Sequence, residues 1–156
     1  MQPNARRIAA RHLAAEAEDA EQFLEGFLRR HPALRTFKPK VRAKMPTSGA
    51  HGHPEARQQG SEIWLFPKFW ALDKATRDFV MAHEIGHLTL TQSGGLPKLL
   101  QAGANLGLDL WDTLSLPFGQ GNMDEAFADS FATYYLSRQE LARRYPLWVK
   151  LIEATV

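Results

Sequence analysis

Two pairs of residues, each four apart, limit what this chain can fold into. One pair is His83 and His87 in FVMAHEIGHLTL, and the other is Glu125 and Asp129 in GNMDEAFADSFATYYL. On a helix, residues four apart share a face. His83 and His87 therefore project together, a turn apart, and can reach one ion at about 2.0–2.1 Å each. Glu84 is rotated roughly a third of a turn from His83, which in this motif sets it beside a metal rather than on it, placed to take a proton from a metal-held water.

Two histidines are too few for a catalytic zinc, which usually has three protein ligands and a water. No histidine follows His87, so the third donor has to be sought in a carboxylate. A buried pair of carboxylates without a cation is costly. Set against His83 and His87, the same pair is useful: Glu125 can bind the metal, and Asp129 can accept the second ring N–H of a ligand histidine. Gly86 costs about 1 kcal/mol against Ala inside a helix; close approach of a second backbone would explain it, so a second helix is expected to cross there. Phe79, Val80, Ala82 and Leu90 make the first helix apolar and buried near the site. Simpler readings stand beside these. Acidic residues in a first helical turn complement the dipole, and Asn122 with Glu125 resembles a capping box.

The chain has 156 residues, 44% of them hydrophobic, enough for one domain with a real core. It contains no cysteine, so any metal must use His, Asp or Glu. A formal net charge of +2 does not by itself argue for nucleic acid. The N-terminal stretch has no unbroken apolar run, so no secretory leader is expected. Lys98, Asp109 and Asp112 interrupt the most apolar stretch, 96–118, so no membrane association is expected. The default is a soluble, cytoplasmic protein, with the oligomeric state open.

Along the chain, 5–30 reads as an amphipathic helix stopped by Pro32. Residues 36–45 alternate as a strand with a basic face of Lys38, Lys40, Arg42 and Lys44, restricted to an edge or bulge by Pro39; a solvated sheet face is the plain explanation. Residues 46–60 read as a loop, with His51 and His53 in it as surface residues rather than ligands. SEIWLF, 61–66, reads as a strand closed by Pro67. Asp73 caps a helix to about Leu90, ended by Ser93-Gly94-Gly95. A helix over 97–106 and then a loop are expected. Asn122 caps a third long helix through Leu136, helix resumes over 138–145, and Pro146 breaks it before a last turn or two. There is no internal repeat.

The combination resembles the gluzincin metallopeptidases, in which HExxH is followed by ExxxD on a second helix. It is similar to their minimal single-domain members, and EAFADSFATYYL resembles the glutamate helix of the ImmA/IrrE-type peptidases. The resemblance implies Zn²⁺ held by His83, His87 and Glu125, Glu84 as general base and acid, and Asp129 orienting His83. It implies a zincin-like α+β domain spanning 1–156: a small, mostly antiparallel sheet packed against the HExxH helix and the glutamate-bearing helix. In such folds the last strand before the zinc helix lies at the cleft rim and pairs with an extended substrate, and SEIWLF occupies that position. The downstream histidine that helps stabilise the oxyanion in thermolysin has no counterpart here; of the phenols, Tyr134 points away from the ligand face, Tyr135 lies to the side, and Tyr145 is left open for that role.

The expected function is zinc-dependent hydrolysis of peptide bonds in a protein or peptide substrate. Two rivals are carried with it. One is a non-catalytic zinc-stabilised domain that binds a protein partner. The other is a DNA-associated, SprT-like peptidase, resting on the basic stripe alone.

Overall fold

A computed structural model of the chain describes residues 19–43, 55–108 and 122–156. The expectations for 1–18, His51 and His53, and 109–118 lie outside these residues. The chain forms two compact units, Met1–Asp78 and Phe79–Val156. No helix among the described residues is long and apolar enough to cross a membrane.

The described part of the first unit opens on α1, over 19–30. Its buried stripe of Ala20, Phe27 and Leu28 keeps the helical spacing that the sequence shows. Phe23 meets Phe69 edge-on, with ring centroids 5.1 Å apart. Pro32 does end α1, but it also opens a 3₁₀ helix, Pro32–Phe37. Lys38 then turns the chain at φ 50, so the alternation over 36–45 is not that of one extended strand. Only Val41–Ala43 forms β1. Arg42 is the one described member of the basic stripe inside that strand, and it pairs with Glu62 at 2.8 Å.

The sheet corrects three expectations. Ala56–Gln59, read as loop, is strand β2, and Glu62–Leu65 is β3. The order is β1-β3-β2, with β1 parallel and β2 antiparallel to β3. The described sheet is therefore mixed rather than mostly antiparallel. SEIWLF is its central strand, not a rim, because both of its edges are already paired. Gln59 faces Glu62 across a two-residue turn. Gly60, at φ 60, supplies the positive φ that such a hairpin needs. Pro67 starts a short helix, α2, Pro67–Trp70.

Helix α3, Lys74–Gln92, contains the division between the units. Asp73 caps it as expected, its Oδ1 accepting from the Thr76 N–H at 2.8 Å. In the second unit follow α4, Gly95–Asn105, α5, Met123–Leu136, α6, Arg138–Arg144, and α7, Pro146–Thr155. The break expected at Pro146 is present, since α6 ends at Arg144, and Pro146 opens a helix longer than the last turn or two expected, because a proline in the first turn removes an N–H that has no helical partner anyway. Helix α5 packs on α6 and α7, and α4 on α7. The core of this unit includes Ile85, Leu88, Leu99, Phe127, Phe131, Leu141 and Ile152, all fully buried. Taken together, the described residues make a mostly helical α+β chain with one small sheet.

The crossing inferred at Gly86 is present. A Cβ built there would stand 3.0 Å from the Ala128 Cα and 3.1 Å from the Phe131 Cβ. Both belong to α5, so the helix that meets α3 at Gly86 is the one bearing Glu125 and Asp129. A backbone atom cannot move aside as a flexible side-chain end can. Gly86→Ala is therefore expected to destabilise by about 1–3 kcal/mol, the usual scale of overpacking, despite alanine's better helix propensity. Chemical denaturation reads the change; a gain in stability would mean the helices separate at no cost.

Candidate metal centre

His83 and His87 point from one face of α3, with side chains 15% and 17% exposed. The close passage at Gly86 brings α5 to that face. Asn122 holds the start of α5, its side-chain oxygen accepting from the N–H groups of Asp124 at 3.0 Å and Glu125 at 3.4 Å. The cap is real, so half of the capping-box reading stands. The Glu125 carboxylate, however, is turned to the histidines. Its Oε2 is 3.1 Å from His83 Nε2 and its Oε1 is 3.0 Å from His87 Nε2.

The two Nε2 atoms are themselves 3.1 Å apart. Donors held tetrahedrally at about 2.0–2.1 Å from a zinc ion would stand roughly 3.3 Å from one another. The edge between the two imidazoles is within a few tenths of an ångström of that, and each imidazole meets its own oxygen of the Glu125 carboxylate. One donor atom from each of His83, His87 and Glu125 falls within 4.8 Å of the other two, and the donor chemistry, two imidazoles and a carboxylate, suits a divalent metal of the zinc class. These residues fit the group that the sequence implies, although the geometry does not identify the ion.

Asp129 lies behind His83, its Oδ1 2.7 Å from Nδ1. A carboxylate can only accept here, so Nδ1 carries the proton and donates, leaving the Nε2 lone pair free to face the Glu125 side. Burial pushes the His83 pKa down. The hydrogen bond to Asp129 and the negative fields of Glu84, Asp129 and Glu125 outweigh burial, and the net shift is upward from 6.5. The sign follows from linkage. Without a metal, charged His83 contributes stability that is fully present below pH 6.5 and is lost as the pH rises through its raised pKa. A metal requires the neutral ring and opposes that protonation.

The Asp129 contact has a measurable consequence. Asp129→Ala removes the acceptor that fixes the His83 ring and tautomer, while the three proposed donors stay in place. Zinc affinity is expected to fall by roughly 10–100-fold without being abolished, read by competition with a chromophoric chelator. If the variant matches the unmodified protein, Asp129 is only a first-half helix carboxylate with no hold on the site.

Glu84 is buried, with 8% of its surface exposed, on the same helix as both histidines. Its charge reaches His83 as one of the upward influences on that ring. Tyr134 donates to Glu153 at 3.1 Å, Tyr135 packs against Phe131 at 4.7 Å between ring centroids, and Tyr145 closes α6 through its N–H to the Leu141 carbonyl.

One residue near the cluster departs from expectation. Ala82 and Leu90 are buried as the sequence suggests and Val80 is half-buried, but Phe79 is 36% exposed. Its ring lies 6.4 Å from the His83 ring, centroid to centroid. The hydrophobicity of Phe79 masked this, since an apolar residue one turn from a buried site reads naturally as core.

Comparison of the chain with models of known protein families, with curated proteins and with solved structures gives no match.

Proposed function

We propose that the chain is a zinc-dependent peptidase of the gluzincin type, with His83, His87 and Glu125 as metal ligands, Glu84 as general base and acid, and Asp129 as the orienting partner of His83. One observation carries the reading. Glu125 turns both carboxylate oxygens to the Nε2 atoms of His83 and His87, although its position in the first turn of α5 offers it the simpler task of helix capping.

A divalent metal held by His83, His87 and Glu125 would supply a Lewis acid that polarises a peptide carbonyl and acidifies a water. The chain's own residues supply the rest. Asp129 keeps the His83 lone pair aimed at the cluster. Glu84 takes a proton from the attacking water and returns it to the leaving amine.

The test is incubation of zinc-loaded protein with a proteome-derived peptide library, with new termini read by mass spectrometry. Cleavage that stops in chelator and returns with zinc is the expected result. A library left intact by fully loaded protein would favour a metal that staples the fold and serves a binding surface.

A further inference from the structure

We infer that Phe79 is a specificity-determining residue: it forms one wall of the subsite that receives a flat, apolar side chain of a ligand held at the metal cluster. The inference rests on the peptidase reading above and names the class of side chain the site takes.

Phe79 precedes His83 by four residues on α3 and shares its helix face, about 6 Å further along the axis. That is the reach of a side chain on a residue adjoining a bond held at the cluster. Phe79 is 36% exposed, and apolar area left in water gains from being covered by a ligand. The packing of this turn does not depend on it, because Met81, Ala82 and Ile85 are fully buried. Nor does it fix the ligand histidine. The Phe79 and His83 rings are 6.4 Å apart and tilted by 37°, whereas Asp129 grips His83 through a 2.7 Å hydrogen bond. An aromatic ring prefers a second ring offset or edge-on to it, so an aryl side chain suits this wall better than a charged or small one.

Hydroxamates test this without requiring turnover, because they bind the metal directly. Acetohydroxamate and 3-phenylpropanohydroxamate would be titrated by calorimetry into zinc-loaded protein and its Phe79→Ala variant, with zinc content and melting temperature measured on both. The phenyl compound should bind the unmodified protein about tenfold more tightly than acetohydroxamate. Phe79→Ala should erase most of that preference, with acetohydroxamate affinity and zinc content unchanged. An undiminished phenyl preference in Phe79→Ala overturns the inference alone and leaves the metal site standing. Loss of zinc in Phe79→Ala also overturns it, since the ring would then only shield the Asp129–His83 bond. Failure of the unmodified protein to take up zinc overturns the metal site, and this inference with it.

Discussion

Glu125→Ala is expected to lose most of its bound zinc while keeping its fold. The carboxylate is the one donor supplied by α5, facing Nε2 of His83 and of His87 at 3.1 and 3.0 Å. Without it, two neutral imidazoles are left, short of the three protein ligands a catalytic zinc usually has. The loss of affinity should exceed the roughly 10–100-fold that follows removal of an outer hydrogen-bond partner, so Glu125→Ala should bind zinc more weakly than Asp129→Ala. The fold should survive for a separate reason. The Glu125 side chain is 46% exposed, no buried charge is orphaned by its removal, and the Asn122 cap uses backbone N–H groups that the substitution keeps. Metal-free melting temperatures would check this. Zinc affinity in Glu125→Ala equal to that of the unmodified protein would remove the third-ligand argument, and Asp129 would become the carboxylate to examine.

That this cluster could be read from the sequence at all has a physical reason. Helical spacing is local, so His83 with His87, and Glu125 with Asp129, are each placed on one face without knowledge of the tertiary fold. Two caps fixed where those helices start, Asp73 on Thr76 and Asn122 on Asp124 and Glu125. Gly86 added the long-range information. A glycine inside a well-formed helix needs a close neighbour to justify it, and Ala128 and Phe131 are that neighbour.

The sheet was less legible because its signals are weak or borrowed. Strand β2 reads ARQQ, and only Ala56 among its residues is buried, so there was no apolar alternation to see. The Gly60-Ser61 pair was the available sign of a hairpin. The segment 36–45 has the opposite fault. Its charges alternate, but Lys38 sits at φ 50 after a 3₁₀ turn, and side chains alternate across faces only where the backbone is extended. With β2 unrecognised, SEIWLF looked like a strand with an edge to spare. At Pro146 the break itself was legible and only the length of the helix after it was not, since a proline that ends one helix can begin the next.

The largest effect on activity is expected from Glu84→Gln, which separates an enzyme from a zinc staple. Glutamine keeps the size of the side chain and its helix propensity but has no basic carboxylate. Glu84 is buried, so a substitution that changed volume would confuse lost chemistry with lost packing, and glutamine avoids that. Zinc should be retained, because none of the three proposed donors is altered. Two opposing influences act on the metal: loss of a nearby negative charge weakens attraction for a cation, while loss of the Glu84 field on His83 makes the neutral ring easier to form. Peptide hydrolysis should fall by at least the roughly 10²–10⁴-fold that general acid–base catalysis contributes, with zinc content and melting temperature near those of the unmodified protein. Glu125→Ala, by contrast, should lose metal and activity together. A structural zinc site makes the opposite demand of Glu84: no function depends on it, and a partner should bind Glu84→Gln as tightly as the unmodified protein. Cleavage at an unchanged rate by fully loaded Glu84→Gln would falsify the assignment of Glu84 as general base.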